Sequence, residues 1–271
     1  MAQTGIAPVS EAPEIARRLV RARLDGTPLP AFPGTLPETL DAAYAIQDAA
    51  IQQWPDGISG WKVGRILEPW LTRFGTDRLV GPIFTRGVRE VRSGKVLRMH
   101  VFDGGFAAVE AEFIVRLAAD APPDKTTWTV QEAAQIVADL FAGIEPAASP
   151  LAPINDLGPA AIVSDFGNNA GLIVGPAIPD WRTRSFDQLT TETFIDGESV
   201  GRGTAASVPG GPLAALAFAL GCCARRSLPL KAGHLVTTGA TTGVHQIRPG
   251  QRSRIVFGGI GEIHLVAGVG P

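Results

Sequence analysis

Apolar side chains recur every three to four residues in two N-terminal segments, which is the spacing of amphipathic helices. The first predicted helix begins near Ser10 and ends at Gly26, a residue type that favours helix ends. The second follows Thr35 and Glu38, which have the spacing of a capping box, and ends at Pro55. Its apolar stripe consists of Leu40, Ala43, Tyr44, Ile46, Ala50 and Ile51.

Two further helices are predicted in the middle and late parts of the chain. Thr129 and Glu132 form a second capping box, and the third helix continues from it to Glu145. The apolar face of this helix would consist of Val130, Ala133, Val137, Leu140, Phe141 and Ile144. The fourth helix, residues 212–226, is apolar on nearly all sides, and such a helix is buried.

Short β-rich segments separate the helices. Residues 109–115 alternate in the manner of a strand, residues 193–200 form a hairpin about Asp196-Gly197, and residues 234–238 and 254–257 complete the set. These strands do not alternate with helices one for one. The pattern therefore predicts an α+β protein with a largely antiparallel or rolled sheet, and not a doubly wound parallel one.

Composition narrows the class of protein. The chain has 271 residues, 45% of them hydrophobic, and a formal charge of −2, so it can bury a core and lacks the signature of a disordered chain. Near-neutral charge without a basic run argues against nucleic acid as a partner. The N-terminus resembles no secretion signal and no apolar run is long enough to span a membrane, which predicts a cytoplasmic protein. Adjacent Cys222 and Cys223 are expected to be two buried thiols.

Three glutamates form the first candidate site. Glu110 and Glu112 stand two residues apart on a predicted strand, so both carboxylates leave one face among apolar neighbours, and a positive charge is expected between them. Glu145 is expected at the C-terminal end of the third helix, where the helix dipole disfavours a carboxylate that no cation compensates. A hard divalent cation such as Mg²⁺ or Mn²⁺ meets both needs. The alternative is three solvated glutamates.

Lys62 is the second candidate. It is one of four lysines in a chain with 20 arginines, and it lies in an apolar, glycine-flanked segment, Trp61-Lys62-Val63-Gly64. A lysine there can serve as a general acid or base with a pKa lowered by desolvation. The alternative is a surface lysine on a short strand.

Other motifs predict structure instead of chemistry. Gly258, Gly259 and Gly261 resemble part of a dinucleotide-binding loop, but strand-like runs flank them on both sides, so a hairpin is predicted. The four histidines do not share helical spacing. His100 precedes a glycine loop that leads to the glutamate pair, and a structural role is the favoured interpretation.

Taken in order, several of these segments resemble landmarks of the fumarylacetoacetate hydrolase superfamily. They are Trp61-Lys62-Val63-Gly64, Gly81-Pro82-Ile83, the strand with Glu110 and Glu112, Ile144-Glu145, and residues 230–239. Residues 41–47 resemble the N-terminal helix of its branch of 2-keto-4-pentenoate hydratases and 4-oxalocrotonate decarboxylases. The resemblance implies a fumarylacetoacetase-like mixed β-roll or sandwich with flanking helices: an N-terminal helical arm, residues 1–58, and a catalytic domain, residues 59–271.

The resemblance also implies a chemistry. Glu110, Glu112 and Glu145 would hold Mg²⁺ or Mn²⁺. Lys62 would lie in the same pocket and serve as the catalytic residue. A 2-oxo acid or its enol would chelate the cation, which stabilises enolate charge. The expected reaction is addition of water to a 2-hydroxy-2,4-dienoate in aromatic catabolism, giving a 4-hydroxy-2-oxo acid. A homo-oligomer is expected, with a decarboxylase as a possible partner.

The chain departs from the branch near the site. Residues 146–150 read Pro-Ala-Ala-Ser-Pro where relatives carry a segment that ends in Asp-Ser-Arg, which removes an acidic residue and an arginine. Asn168 and Asn169 stand where relatives offer a serine, and Ala240 follows Gly239 where relatives often have a hydroxyl. The residues expected to bind substrate are Asn168, Asn169, Thr238 and Thr241.

Two alternatives to the hydratase remain open. One keeps the site and changes the reaction, to decarboxylation of a 2-oxo-enedioate or hydrolysis of a C–C bond in an acylpyruvate. The hydrolase requires a base near the metal, for which His100 is the only candidate. The other alternative is a non-catalytic subunit of a hydratase–decarboxylase complex, favoured by the departures in residues 146–150 and opposed by the intact glutamates and lysine.

Overall fold

A computed structural model describes residues 11–91 and 95–270. Ser10, where the first helix was predicted to begin, and the N-terminal residues that resemble no secretion signal lie outside this range. The helices in the described part of the chain are α1 (Ala12–Asp25), α2 (Leu40–Gln53), α3 (Trp70–Phe74), α4 (Val130–Gln135), α5 (Ile154–Leu157), α6 (Pro159–Ser164) and α7 (Gly211–Arg225). Within the same range no helix combines the length and apolar character needed to cross a membrane.

In residues 11–91 and 95–270 the strands build two sheets. They are β1 (Ile58–Arg65), β2 (Arg78–Phe84), β3 (Val88–Glu90), β4 (Val96–Val101), β5 (Phe106–Leu117), β6 (Val137–Ser149), β7 (Leu172–Ala177), β8 (Thr190–Ile195), β9 (Glu198–Thr204), β10 (Leu235–Thr237), β11 (His245–Gln246), β12 (Arg252–Phe257) and β13 (Gly261–Val269). The larger sheet has the order β2-β1-β10-β5-β6-β7-β3, with β11 also paired to β5, and the smaller has the order β4-β13-β12-β8-β9.

Most strand pairs are antiparallel, and three are parallel: β1 with β10, β3 with β7, and β4 with β13. The predicted α+β class with a largely antiparallel, rolled sheet is confirmed. Both predicted hairpins are present, because Asp196-Gly197 connects β8 to β9 and the segment 258–260 connects β12 to β13. Asp196 and Gly197 both have positive φ, 49° and 89°, which suits a tight hairpin turn.

The three long helices fall close to their predicted bounds. Gly26 ends α1 in the left-handed conformation with φ 65°. Thr39, and not Thr35, is the N-cap of α2, because its side chain accepts the N–H of Ala42. The capping box predicted at Thr35 and Glu38 is therefore wrong by one turn. Helix α7 buries most of its length, and both of its cysteines are free, buried thiols.

The third predicted helix is mostly a strand. Thr129 and Glu132 do form the predicted capping box, but α4 ends at Gln135, and the chain continues as β6. Strand β6 is nearly all buried between β5 and β7, and a fully buried strand shows a continuous apolar run that also fits a helical pattern. Pairing with β5 over almost its entire length decides the outcome. Glu145 thus lies inside a sheet and not at a helix end.

The two faces of the larger sheet have different roles. One face packs on the smaller sheet and α7, as shown by Phe113 of β5 and Phe257 of β12, whose rings meet edge to face at 5.8 Å. The other face is covered by α2, α6 and the turn that follows α6. Helices α1 and α2 pack on each other and on Phe166 of that turn. The division into an arm of residues 1–58 and a domain of residues 59–271 stays a prediction.

Candidate metal centre

Strand geometry brings the three glutamates together. Glu110 and Glu112 lie on the same face of β5, as the alternation predicted. In the antiparallel pairing of β5 with β6, Glu145 stands directly opposite Glu110, and Gly143 stands opposite Glu112. A Cβ atom on Gly143 would lie 2.0 Å from Ile114 Cδ1, so the close packing of this face requires glycine there. The helix-dipole argument for Glu145 is wrong, and the strand register replaces it.

The resulting cluster is compact and shielded from solvent. One carboxylate oxygen from each of Glu110, Glu112 and Glu145 lies within 4.8 Å of the others. Glu112 and Glu145 are fully buried, and Glu110 is 6% exposed. The Nζ atom of Lys62, on β1, lies 2.8 Å from Glu145 Oε1, and this side chain is also buried. The alternatives of solvated glutamates and a surface lysine do not describe this structure.

Neighbouring groups hold the carboxylates in place. The backbone N–H of Gly239 donates to Glu112 Oε2 at 2.7 Å, and the hydroxyl of Thr237 donates to Glu145 Oε2 at 3.1 Å. The amide of Asn169 donates to Glu145 Oε1 at 3.2 Å. Glu112 Oε1 is buried without a hydrogen-bond partner in the described residues. An unpartnered carboxylate oxygen is costly to bury, so this atom is available for a further ligand.

If all three glutamates were ionised, Lys62 would balance only one of their three negative charges. Burial raises the pKa of Glu112 well above its usual range, and Glu145 and Glu110 raise it further. Burial also raises the pKa of Glu110 to about 7, although Lys62 opposes the shift. Burial alone would lower the pKa of Lys62, but Glu145 and Glu110 outweigh it, so its pKa is raised. The lowered pKa predicted for Lys62 is therefore wrong, because its carboxylate neighbours stabilise the ammonium.

These residues fit a divalent cation. The donor set is made of carboxylate oxygens only, which hard cations such as Mg²⁺ and Mn²⁺ prefer. The three oxygens are close enough to bind one ion, and Glu112 Oε1 has no other partner. A cation of charge +2 would also stabilise the ionised form of Glu110 and Glu112, whose pKa values are raised mainly by burial. The cluster can therefore hold such a cation through Glu110, Glu112 and Glu145.

The four residues predicted to bind substrate lie around the cluster in different ways. Asn169 contacts Glu145 directly, and its side chain also bonds the backbone of Gly171. Asn168 is buried, and its Oδ1 atom has no hydrogen-bond partner in the described residues. Thr238 and Thr241 donate their hydroxyls to carbonyl oxygens of β5 at 2.8 Å, which attaches the loop after β10 to that strand. Contact of these four residues with a substrate stays a prediction.

Sequence reasoning missed several groups at the site. Thr237 and the N–H of Gly239 bond the glutamates, although their segment was recognised only as a landmark. Thr237 lies beside Lys62 through the parallel pairing of β1 with β10, and neither segment carries a sequence signal for that register. A second missed group is a buried ion pair between Arg23 of α1 and Asp165 after α6. Residues 146–150 lack the acidic residue and the arginine of the relatives, but Asp165 and Arg23 place such a pair close to β6 from other segments.

Histidine is absent from the immediate site. Among the side chains that the structure describes, none of the four histidines hydrogen-bonds or forms an ion pair with Lys62 or the three glutamates. His100 instead lines a cavity of about 260 Å³ near the C-terminal end of α1, together with Trp54 and Phe102, and Asn169, which contacts Glu145, also lines it. The structural role of His100 stays a prediction.

Comparisons with known proteins identify the fold. No family model matches the chain. One curated relative, a 4-oxalocrotonate decarboxylase from a Pseudomonas species, is 30% identical over 104 residues, which cover 38% of this chain and 39% of that protein. The solved structure of 4-oxalocrotonate decarboxylase from Pseudomonas putida G7, complexed with magnesium and adipate, aligns with a TM-score of 0.78 at 19% identity and covers 95% of this chain and 97% of that one.

A second solved structure is more distant. Fumarylpyruvate hydrolase from Pseudomonas aeruginosa, in complex with Mn²⁺ and pyruvate, aligns with a TM-score of 0.55 at 17% identity, covering 78% of this chain and 89% of that one. The chain therefore has the fold of the fumarylacetoacetate hydrolase superfamily, and the resemblance recognised from the sequence is confirmed. A 4-oxalocrotonate decarboxylase gives the sequence match over 38% of this chain, and the structure of a 4-oxalocrotonate decarboxylase gives the fold match over 95% of it. At 20% identity or less, the structural likeness shows the fold alone.

Proposed function

We propose that this protein is a divalent-metal-dependent enzyme that acts on a 2-oxo acid through its enol form. The observation that carries the proposal is the buried cluster of three carboxylates with Lys62 at its edge. Burying an ionised carboxylate costs several kcal/mol, so without a cation the cluster must take up protons, as the raised pKa values of Glu110 and Glu112 indicate. Such an arrangement is retained in a site that binds a cation.

Glu110, Glu112 and Glu145 would hold Mg²⁺ or Mn²⁺ and leave its other positions to the carboxylate and 2-oxygen of the substrate. When bound, the cation supplies Lewis acidity, which lowers the energy of the enolate that forms beside a 2-oxo group. Thr237, Asn169 and the N–H of Gly239 orient the carboxylates by the bonds described above. Hydrogen bonds of this kind keep a ligand in one geometry and account for part of the affinity of metal sites.

Lys62 would act as an ammonium and not as a neutral base. Its raised pKa keeps the proton on Nζ at neutral pH. Nζ lies 2.8 Å from Glu145 Oε1, at the edge of the cluster where the substrate oxygens would be placed. From there the ammonium can donate a hydrogen bond to the 2-oxygen and transfer a proton when the enolate is quenched.

Decarboxylation of a 2-oxo-3-enedioate is the reaction that the comparisons favour, because the sequence match and the whole-chain fold match carry that name. The bond between the distal carboxylate and its neighbouring carbon breaks and CO₂ leaves. Its electron pair moves through the double bond to the 2-oxygen, and a proton from Lys62 completes a 2-hydroxy-2,4-dienoate. The same metal and lysine suit hydration of that dienoate, the reaction predicted from the sequence, so hydration is the second candidate.

Hydrolysis of an acylpyruvate is less well supported. It requires a base that activates water against a carbonyl carbon, and in the described part of the chain no histidine contacts the cluster. The non-catalytic alternative is opposed by the retention of every carboxylate and of Lys62 in one buried cluster. A homo-oligomer and a decarboxylase or hydratase partner remain proposals from the resemblance alone.

Product analysis separates the reactions. Purified protein with Mg²⁺ or Mn²⁺ is incubated with a 2-oxo-3-enedioate, a 2-hydroxy-2,4-dienoate and an acylpyruvate in separate reactions. Release of CO₂ from the first supports the decarboxylase, and formation of a 4-hydroxy-2-oxo acid from the second supports the hydratase. Cleavage of the third into two acids contradicts both, and turnover of none of the three contradicts the proposed substrate class.

Metal binding is tested without any substrate. Calorimetric titration of metal-stripped protein with Mn²⁺ should show one site per chain, and oxalate, which mimics a 2-oxo acid enolate, should strengthen it. The double variant Glu110→Gln and Glu112→Gln should lose this binding. Glu198→Gln, an exposed glutamate on β9, is the matched control and should bind as the wild type does. Equal affinity in the double variant would remove the metal centre from the proposal.

A further inference from the structure

Arg23 is the most heavily bonded buried side chain on the N-terminal helix. Its guanidinium is 5% exposed and forms a two-pronged ion pair with Asp165, with Nε 2.5 Å from Oδ1 and Nη2 2.9 Å from Oδ2. Nη1 donates to the carbonyl oxygen of Asn169 at 2.9 Å, and Nη2 donates to the carbonyl oxygens of Asp165 and Ala148, both at 3.1 Å. Nη2 has two N–H groups for its three acceptors, so one N–H is shared between two of them, and the planar fork of arginine reaches all of these acceptors.

These bonds join the two ends of one turn, residues 165–169. Inside that turn Phe166, Gly167 and Asn168 all have positive φ, at 53°, 68° and 63°. Only glycine adopts this conformation freely, and a bulky residue such as Phe166 is held in it at a cost of about 1–3 kcal/mol. A turn with two strained non-glycine residues needs contacts that hold it in place. Arg23 supplies them at both ends, and its charge also lies 5.3 Å from the ring of Phe166.

The same turn touches the candidate metal centre at two points. Its last residue, Asn169, donates to Glu145 Oε1. Its middle residue, Gly167, lies against Lys62, since a Cβ atom added there would meet Lys62 Cδ at 3.1 Å. The turn therefore positions both members of the Lys62–Glu145 ion pair. Arg23 itself is paired with Asp165 and so is not a counter-charge for the glutamate cluster.

We infer that Arg23 is a positioning residue for the metal centre: it holds the 165–169 turn so that Asn169 fixes Glu145 and Gly167 confines Lys62. The inference rests on the proposed function, because it concerns the affinity of that centre for its cation. It also gives helix α1 a role in the active site, although no residue of that helix contacts the carboxylates. Outer groups that orient metal ligands alter affinity by about 10–100-fold when removed.

A purely structural role is the competing explanation, and it makes a different prediction. If Arg23 only joins α1 to the sheet, its loss lowers thermal stability and leaves the folded metal centre intact. If it positions the turn, metal affinity falls in protein that is still folded. The two effects of Arg23 and Asn169 should then not add, because both act through the same carboxylate.

The experiment measures Mn²⁺ affinity by calorimetry and the line shape of bound Mn²⁺ by electron paramagnetic resonance, with no substrate present. Arg23→Lys keeps the charge beside Asp165 but cannot span both ends of the turn. The double variant Arg23→Gln with Asp165→Asn removes both charges together, so no unpaired buried ion endangers folding. Asn169→Ala removes the bond to Glu145, and Arg21→Lys, which changes an exposed arginine on the same helix, is the control.

We expect Arg23→Lys, the neutral double variant and Asn169→Ala each to weaken Mn²⁺ binding by about 10–100-fold and to change the Mn²⁺ line shape. Combining Arg23→Lys with Asn169→Ala should weaken it no more than the stronger single change. Arg21→Lys should have no effect. Folded variants with wild-type Mn²⁺ affinity would overturn the role of Arg23, whereas a wild-type protein that binds no Mn²⁺ would overturn the metal centre itself.

Discussion

Gly81 tests the geometry of the site more directly than any charged residue. It lies on β2, opposite Lys62 of β1 and beneath the 165–169 turn. Its φ is not in the left-handed region, so an alanine is excluded by contacts alone. An added Cβ would lie 2.2 Å from the carbonyl oxygen of Phe166 and 2.8 Å from the Cα of Gly167. Both are backbone atoms, which cannot rotate away as the end of a side chain can.

The size of the effect follows from these distances. Ordinary contact with a Cβ begins at 3.4 Å, so the turn must move away from the sheet by about 1 Å. Overpacking of this kind costs about 1–3 kcal/mol. For a protein of this size, 1 kcal/mol corresponds to about 2–4 °C, so Gly81→Ala should lower the melting temperature by roughly 2–12 °C. The moved turn also withdraws Asn169 from Glu145, which weakens Mn²⁺ binding.

Thermal melts and Mn²⁺ titrations of Gly81→Ala and Gly57→Ala measure both effects. Gly57 is the matched control because the nearest atom to its added Cβ is Thr85 Oγ1, at 3.7 Å. We expect Gly57→Ala to melt at the wild-type temperature or up to about 4 °C above it, because the loss of glycine's freedom in the unfolded chain stabilises the fold by about 0.4–1 kcal/mol. A Gly81→Ala protein with unchanged melting temperature and unchanged Mn²⁺ affinity would refute the close packing of the 165–169 turn against β2.

Four further predictions concern the buried groups. Because the pKa of Glu110 is raised to about 7 in the metal-free protein and that of Glu112 is raised as well, protons compete with the cation. Mn²⁺ affinity should therefore fall at least about tenfold from pH 8 to pH 6, with proton release in calorimetry. The same shift should make the metal-free protein less stable as pH rises from about 4.5 to about 7, since the unfolded chain ionises first; a flat melting profile there contradicts it. Thr237→Val removes the donor to Glu145 at constant volume and should weaken Mn²⁺ binding by about tenfold, with Thr183→Val as the exposed control. Cys222 and Cys223 should react with iodoacetamide only after unfolding, and rapid labelling of the native protein contradicts their burial.

Local patterns predicted the elements that depend on local rules. The left-handed Gly26 ends α1, the Asp196-Gly197 turn makes a hairpin, and the all-apolar segment near residue 220 is a buried helix. The Glu110–Glu112 pair also follows from local geometry, because a period of two puts alternate side chains on one face of any strand. Each of these depends only on residues close together in the chain.

The prediction of the third helix is wrong because this segment's structure depends on distant residues. Residues 137–149 have enough apolar side chains to fit a helix, and only pairing with β5 and β7 on both sides makes them a strand. That pairing also decides the position of Glu145, since its place opposite Glu110 depends on the register between two strands. Register is a property of the assembled sheet and leaves no separate trace in either segment.

The sequence by itself therefore determined the class of fold, the residues able to bind a cation and the face from which two of them project. Only the tertiary structure decided which groups contact these residues. Lys62 forms an ion pair with Glu145, and Thr237 and Asn169 donate hydrogen bonds to the same carboxylate. Arg23 bonds the 165–169 turn. Arg23 and Asn169 are separated by 146 residues, and their contact depends on the packing of α1 against the turn. The physical reason is that burial and charge pairing arise between distant segments, whereas periodicity and turn preference arise within one.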